Sequence, residues 1–143
     1  MPILTLANSL IDRDQLGKGV KYPLTMDKAT GDFARVANED NVRECIYWLI
    51  ATRVGERVMN EDFGTTANDS LFQDIEAVAD VLPFQIADVI ARYEPRVTHV
   101  KLKTERTGVS DLRITITWIV RSTGRGGSLV YPYYTEPAGG GIV

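Results

Sequence analysis

Apolar residues recur at three- and four-residue spacing in two stretches of the chain, a pattern that predicts amphipathic helices. We place the first helix at about residues 39–53, with Asn38 as its N-cap. Glu39 and Asp40 then suit the positive end of that helix. Gly55 lies just beyond its end, where a glycine is favoured. The predicted buried stripe consists of Val42, Cys45, Ile46, Leu49 and Ile50.

The second helical stretch contains a proline. Pro83 is tolerated in the first turn of a helix, so we start the helix near it and place residues 75–80 in a separate short helical turn. The helix should end at Glu94, because the residue before Pro95 is disfavoured in the α conformation. Its apolar stripe consists of Leu82, Ile86, Val89, Ile90 and Tyr93.

Alternation with a period of two follows Pro95 and predicts three antiparallel strands. Thr98, Val100 and Leu102 alternate with polar residues in the first, and a turn at 108–111 follows. The second strand, 112–121, has the clearest pattern, and a glycine-rich link at 123–127 leads to the third, 128–134. The predicted fold is therefore α+β, with helices packed on a small antiparallel sheet of about three strands in a single domain.

The remaining segments are rich in turn-forming residues. We interpret residues 1–37 as an irregular N-terminal arm that lies against the α+β domain at 38–134. Residues 135–143 contain three consecutive glycines and are expected to form a flexible tail. Between the helices, residues 57–59 predict a short extended piece and residues 62–64 a turn.

Charge is divided unevenly along a chain whose net charge is −3. Residues 39–94 hold 12 acidic and 4 basic side chains, whereas residues 95–135 hold 7 basic and 2 acidic ones. The overall balance argues against nonspecific binding to nucleic acid or to anionic membranes. No apolar run approaches the ~20 residues that a membrane span needs. The asymmetry could orient a subunit between unlike neighbours, or the two regions could be ordinary solvated faces.

Few residues carry recognisable chemistry. Cys45 is the only cysteine, so it forms no intrachain disulfide, and its apolar neighbours suggest a small buried side chain in a reducing cytoplasm. His99 is the only histidine and lies on the polar side of a strand, which excludes histidine-based triads and multi-histidine metal sites. Residues 124–128 resemble a phosphate-binding loop only superficially, because they lack its full spacing and precede no helix.

Acidic side chains raise the possibility of glycoside hydrolysis, which needs one protonated and one ionised carboxyl group. Glu61, Asp62 and Glu94 are candidates, but 19 acidic residues in a chain of this length produce such neighbours by chance. We therefore expect no catalytic residue, no cofactor and no metal.

Four short motifs carry a family resemblance: Gly55-Glu56-Arg57-Val58, Asp62-Phe63-Gly64, Leu71-Phe72 and Glu94-Pro95-Arg96-Val97. In this order and spacing they resemble the phage baseplate protein W family, which includes the wedge subunit of myophages and its counterpart in type VI secretion baseplates. Residues 19–23 and 128–132 fit the family's flanks, so the match covers about 17–134. Glu61 stands where the family often has proline, which makes the start of the turn less rigid.

The resemblance implies a structural subunit that joins the inner baseplate to the sheath and initiates sheath assembly by strand addition. It implies multiple copies, six per baseplate, in a virion tail or injection machine assembled in the bacterial cytoplasm. Its partners would be other wedge proteins and the sheath subunit. The implied wedge-partner residues are Glu94, Pro95, Arg96, Gly55, Glu56 and Arg57. The turn anchors are Phe63 and Gly64, and the sheath-facing strand residues are Arg113, Thr115, Thr117, Arg121, Val130 and Tyr131.

Structural interpretations stand beside these roles. Glu94 and Arg96 could form a local ion pair at a helix-to-strand corner, which contributes under ~1 kcal/mol if it is exposed. Glu56 and Arg57 could simply cap and solvate a helix end. Two other functions stay open: a regulatory binding module of the same fold, of the anti-adaptor type, or a peptidoglycan hydrolase. The absence of a specific acid pair argues against the hydrolase.

Overall fold

A computed structural model describes residues 16–66, 75–109 and 111–134 of the 143-residue chain. Within these ranges the fold consists of two helices and two antiparallel sheets, one of two strands and one of three. The predicted α+β class, with helices on a three-stranded antiparallel sheet, is confirmed. The elements in chain order are β1 (Lys18–Val20), β2 (Arg35–Ala37), α1 (Asn38–Ala51), α2 (Ile75–Tyr93), β3 (Val97–Arg106), β4 (Asp111–Val120) and β5 (Gly126–Tyr134).

The three-stranded sheet has the order β3-β4-β5, with β4 in the centre. One of its faces is covered by the helices, since α2 lies against β3 and β4 and α1 lies against β5. The alternation in β4 places every second side chain in this core at 0–3 % exposure, as the period-two pattern predicts. These side chains are Leu112, Ile114, Ile116, Trp118 and Val120.

Trp118 determines the local geometry of both neighbouring strands. Opposite it, β3 has a bulge between Thr98 and Lys101, and His99 takes a φ of 51° there. On the other side Gly127 pairs with Trp118, and a Cβ atom on Gly127 would lie 2.5–2.7 Å from the indole ring. The glycine-rich link therefore continues into β5, which begins two residues earlier than predicted. Glycine is needed here because the indole occupies the space of a side chain.

Helix α1 begins without the predicted cap. Asn38 is its first residue, with a φ of 59°, and the N-cap position is Ala37, which makes no side-chain capping bond. The Asn38 N–H donates instead to Gly17 O at 3.3 Å, so a contact with the N-terminal segment replaces the cap. The helix ends at Ala51, and Gly55 lies beyond it in a loop. Cys45 is half-buried, not fully buried as predicted.

Helix α2 is continuous over 19 residues, with Pro83 inside it. The prediction of a separate turn at 75–80, with Pro83 in a first turn, is wrong. A proline inside a helix costs about 3 kcal/mol. Five buried residues on one face, each contributing up to roughly 1.5–3 kcal/mol, outweigh that cost. The helix ends at Tyr93, one residue before the predicted end at Glu94. Its buried residues are Ile75, Val78, Leu82, Ile86 and Ile90.

The described part of the predicted arm is a β-hairpin and not irregular. Strands β1 and β2 pair in antiparallel register. Beyond them, the Lys21 N–H donates to Ala34 O at 2.9 Å and the Ala34 N–H donates to Thr25 O at 2.8 Å. Turn-forming residues are concentrated at the tip, while short paired segments form the stem. Residues 1–15, the Leu71-Phe72 motif and the predicted tail lie outside the described residues.

Neither of the two described helices is long and apolar enough to cross a lipid bilayer.

Substitution of the interior proline tests the account of α2. Pro83→Ala restores a backbone N–H in the middle of the helix, and we expect it to raise the free energy of unfolding by about 1–3 kcal/mol. Gln85→Ala, at an exposed position two residues further on, is the matched control and should change it by less than about 0.5 kcal/mol. Urea denaturation followed by circular dichroism measures both. A destabilised Pro83→Ala variant would contradict the account.

Candidate functional site

The corner between α2 and β3 is held by a bidentate ion pair. Arg96 Nε donates to Glu94 Oε1 at 2.5 Å and Arg96 Nη2 donates to Glu94 Oε2 at 2.6 Å. The Glu94 side chain is only 5 % exposed and the Arg96 side chain 28 % exposed. The hydrogen bonds that Arg96 donates to Glu94 raise the pKa of Arg96 above its ordinary value, so the guanidinium stays charged.

The same guanidinium connects this corner to the N-terminal segment. Arg96 Nη1 donates to Leu16 O at 2.6 Å, and Asn41 Nδ2 of α1 donates to the same oxygen at 3.1 Å. Leu16 is itself in the core. The backbone of Arg96 also accepts the Arg121 N–H at 2.8 Å. One residue therefore ties α2, the sheet and the hairpin together.

This geometry changes the interpretation of the Glu94-Pro95-Arg96 triplet. The weak structural role considered above assumed exposed charges, but Glu94 is buried and fully engaged by Arg96. Breaking such a pair costs far more than breaking a surface pair, because the remaining charge stays buried. The Glu94 carboxylate is bonded inside the subunit, whereas Pro95 is exposed and Arg96 is partly accessible.

A loop at 52–65 follows α1 and is closed at its base by backbone hydrogen bonds. The Thr65 N–H donates to Thr52 O at 2.9 Å, and the Val54 N–H donates to Thr65 O at 3.3 Å. Gly64 has a φ of 115°, and a Cβ atom there would overlap Thr52 O. Only glycine fits at this closure.

The other motif residues of this loop lie in turns. Residues 57–59 form a turn, so the predicted extended piece is wrong. The Gly55 N–H donates to Glu61 O at 2.7 Å across the loop. The Glu56 carboxylate accepts the Arg53 N–H at 2.9 Å, so it caps the loop internally. Backbone bonding within the loop, and not pairing with a strand, determines its shape.

Phe63 connects the loop to the domain. Its ring packs against the core and meets the Tyr93 ring edge-on, with a centroid distance of 5.3 Å. The Arg57 guanidinium carbon lies 4.0 Å from the centre of the Phe63 ring, a cation–π arrangement. The Phe63 ring thus supports the guanidinium of Arg57 at the surface of loop 52–65.

A cavity of about 280 Å³, which we name the Trp48 groove, lies between α1, this loop and the corner. Trp48, Phe63 and Tyr93 contribute aromatic surface, and Cys45 and Leu49 complete the apolar lining. Arg57 and the Glu94–Arg96 pair supply its polar part. Three of the residues predicted to bind a partner, Arg57, Glu94 and Arg96, are therefore brought together. Gly55 and Glu56 are not among the lining residues.

Sequence reasoning missed Trp48, whose side chain is 42 % exposed. A signal was available, because position 48 lies outside the apolar stripe of α1, so a large aromatic residue there points away from the core. It also missed Leu16 and Asn41. Their role depends on the hydrogen bond between Arg96 and Leu16 O, two residues that lie 80 positions apart in the sequence. No local sequence pattern encodes such a contact.

The predicted sheath-facing residues are divided by the sheet order. Because β4 is central, the backbone groups of Arg113, Thr115 and Thr117 face partner strands on both sides. Arg121 lies just after β4. Tyr131 lies on the helix-covered face, with its ring centre 6.1 Å from that of Tyr47.

Val130 belongs to β5, which pairs with one strand only among the described residues. The Val120 N–H donates to Arg125 O at 2.8 Å, and alternate residues of an antiparallel pair bond in the same sense. Continuing this alternation along the register directs the N–H of Val130 away from β4. Pro132, which has no N–H, occupies the equivalent position two residues on.

No group of three or more His, Cys, Asp or Glu residues in the described ranges is arranged to hold a metal ion.

Comparisons with known proteins agree with this geometry. The profile of a family described as baseplate wedge protein gp25 matches residues 36–125. A Geobacter sulfurreducens protein with the provisional name tail lysozyme is 29 % identical with a TM-score of 0.63, covering 70 % of this chain and 93 % of that one. No curated protein sequence matches the chain.

Two assemblies contain subunits of the same fold. One is the baseplate of the anti-feeding prophage, where the identity is 22 % and the TM-score 0.59, covering 91 % of this chain and 94 % of that one. The other is the baseplate complex of the type VI secretion system, with 16 % identity and a TM-score of 0.55, covering 67 % of this chain and 92 % of that one.

Removal of the Arg96 guanidinium tests the corner. Arg96→Ala leaves Glu94 buried without its partner and Leu16 O without a donor, so we expect the free energy of unfolding to fall by about 3–5 kcal/mol. Arg92→Ala is the matched control, because Arg92 pairs with Asp88 on the exposed surface of α2 at 3.2 Å. Its loss should cost under about 0.5 kcal/mol. Equal effects of the two substitutions in chemical denaturation would disprove the structural role of the pair.

Proposed function

The chain belongs to the baseplate wedge protein family, whose profile its residues 36–125 match, and we propose that it is a structural subunit of the baseplate of a contractile tail or tail-like injection machine. The family match carries this proposal, since it spans the domain from β2 to the turn before β5. Related folds in the anti-feeding prophage and type VI baseplates support it. Six copies per baseplate and assembly in the bacterial cytoplasm are parts of the same proposal.

The domain arrangement suits such a role. Residues 38–134 would form the α+β unit that is held in the wedge, with residues 1–37 as an arm and residues 135–143 as a tail. The Glu94–Arg96 pair makes the corner rigid, and loop 52–65 lies beside it. Other wedge proteins would bind on this side through Pro95, Arg96 and the motif at 55–57, with Phe63 and Gly64 anchoring the loop.

We further propose that β5 initiates the sheath by accepting a strand from the first sheath ring. An edge strand offers unpaired N–H and C=O groups to another chain. The N–H of Val130 points towards that edge, and its side chain is 53 % exposed. Arg113, Thr115 and Thr117 would then contact the added segment through side chains only, because their backbone groups are already paired.

Charge supports an acidic partner for the sheet. The face not covered by the helices carries Lys101, Lys103 and Arg113 together with one acid, Glu105, on β3. Glu105 pairs with Lys103 at 2.6 Å and lies opposite Arg113 in the strand register. Such a basic surface would attract acidic sheath segments, and the attraction would weaken as salt is added.

A hydrolase is the second candidate, because the Geobacter relative bears the name tail lysozyme. A glycosidase needs a general acid whose pKa is raised. Here the Glu94 carboxylate is held by Arg96. Hydrogen bonds lower the pKa values of Asp32 and Glu105, whereas a general acid needs a raised pKa. The residues described thus favour a structural subunit. No observation favours a regulatory module of the anti-adaptor type.

Blocking the β5 edge tests sheath initiation. Val130→Pro removes one outward N–H without breaking the ladder to β4, so we expect a folded subunit that enters baseplates on which no full-length sheath forms. Val130→Thr, which keeps the N–H and the branched side chain, is the matched control and should give normal sheaths. Electron microscopy of particles purified from complemented cells measures sheath length.

Thr115→Pro provides the contrast in the central strand. The Thr107 N–H donates to Asp111 O at 3.0 Å, and this register directs the Thr115 N–H towards Lys103, so proline there should prevent folding. Full-length sheaths on baseplates that contain Val130→Pro would refute strand addition at β5. Absence of the wild-type subunit from purified particles would refute the baseplate assignment itself.

A direct assay separates the hydrolase from the structural subunit. Purified protein should release no more muropeptide from peptidoglycan than the Glu61→Gln/Asp62→Asn double variant does, because Arg96 already binds both oxygens of Glu94, the buried candidate acid. Chromatography of the soluble products measures this. Turnover by the wild type that is lost in the double variant would establish the hydrolase.

A further inference from the structure

We infer that the Trp48 groove binds a segment of a neighbouring baseplate protein that places an apolar side chain against Trp48 and an Asp or Glu carboxylate on Arg57. This inference rests on the proposed function and identifies the chemistry of one partner contact. Sequence motifs pointed to Arg57 and to the Glu94-Pro95-Arg96 triplet. The apolar part of the site, around Trp48 and Cys45, is visible only in the structure.

The size and lining of the groove indicate a protein side chain. Its volume of about 280 Å³ lies just below the ~300–1,000 Å³ typical of small-molecule pockets. Three aromatic rings, those of Trp48, Phe63 and Tyr93, line it, and tryptophan, tyrosine and arginine are the residues most enriched where binding energy is concentrated at interfaces. An apolar side chain that displaces water from this surface would gain the usual free energy of burial.

The charge of Arg57 specifies the second part of the ligand. Its guanidinium lies over the Phe63 ring, and in the described part of the chain no carboxylate or carbonyl oxygen bonds to it. By contrast, each of the three guanidinium nitrogens of Arg96 already donates a hydrogen bond, two to Glu94 and one to Leu16 O. Arg57 thus places the N–H donors of an oriented guanidinium at the rim of an apolar groove. A carboxylate can accept two parallel hydrogen bonds from such a guanidinium.

Two residues beside Arg57 strengthen the case for an interface. Val58 and Met59 are 87 % and 97 % exposed, an unusual position for two consecutive apolar residues on a loop held by backbone hydrogen bonds. They follow Arg57, a lining residue of the groove, directly in the chain, so a partner segment bound to Arg57 could also cover them.

Cys45 provides a chemical test, because it is the chain's only cysteine and lines the groove. In intact purified baseplates we expect N-ethylmaleimide to modify Cys45 at least tenfold more slowly than in the free subunit, measured by mass spectrometry after quenching. An unchanged rate in baseplates that contain the subunit would overturn the groove inference and leave the baseplate assignment intact. Absence of the subunit from those baseplates would refute the assignment instead.

Substitution of Arg57 tests the carboxylate. In cells that express a tagged variant together with the wild type, Arg57→Ala should reduce incorporation into baseplates about tenfold or more, and Arg57→Lys should give an intermediate loss. Arg92→Ala, which removes another exposed arginine, on α2, should incorporate normally. Equal incorporation of Arg57→Ala and wild type, with both folded by circular dichroism, would overturn the role of Arg57.

The free subunit tests one other occupant. If Cys45 becomes protected as the concentration of the purified subunit rises, and sedimentation shows a dimer over the same range, the groove binds a second copy and the inference of a different baseplate protein is wrong. We expect a monomer with constant Cys45 reactivity.

Discussion

The fold depends on one buried charge and its neutralisation. Glu94 lies in the interior where α2 turns into β3, and a carboxylate there is tolerated only because Arg96 binds both of its oxygens. The third nitrogen of the guanidinium, Nη1, donates to Leu16 O, so the residue that neutralises Glu94 also holds the hairpin. A hydrophobic corner could have been as stable, but it would not fix the position of the N-terminal segment relative to the sheet. The geometry of the loop and groove beside it follows from this arrangement, since Phe63 packs on Tyr93 in the last turn of α2.

Local periodicity was sufficient to predict the class of the fold. The alternation in β4 and the stripe in α1 each reflect burial of one face, which acts over a few residues and is visible in the sequence. The errors occurred where a distant contact overrode a local preference. Asn38 is a good N-cap residue, yet Gly17 O takes its N–H. Pro83 ordinarily marks a helix start, but buried residues on both sides of it keep α2 continuous.

The candidate site was predicted only in part, for the same reason. Short motifs located Arg57, Glu94 and Arg96, and the structure places all three around one groove. They did not show that Glu94 is buried, because burial at a corner depends on segments far away in the sequence, such as Leu16, whose carbonyl oxygen binds Arg96 and Asn41. Nor did they indicate Trp48, which contributes aromatic surface to the groove from a helix with no motif of its own. Alternation places Arg113, Thr115 and Thr117 on one face of β4, but only the strand order shows that β4 has no free edge.

The free edge of β5 and the Trp48 groove each expose a surface that could bind unwanted partners before the subunit is assembled. Strand β5 exposes backbone donors, which invite uncontrolled pairing, and Pro132 removes one of them while leaving that of Val130 available. The groove exposes aromatic surface, and Arg57 at its rim imposes a cost on any occupant that cannot supply a negative charge. Binding affinity would come from backbone hydrogen bonds at the β5 edge and from burial of apolar surface in the Trp48 groove. Pro132 at the edge and Arg57 at the groove would then restrict which partners can bind. Selectivity in this small domain would therefore depend on a few residues at the margins of its binding surfaces.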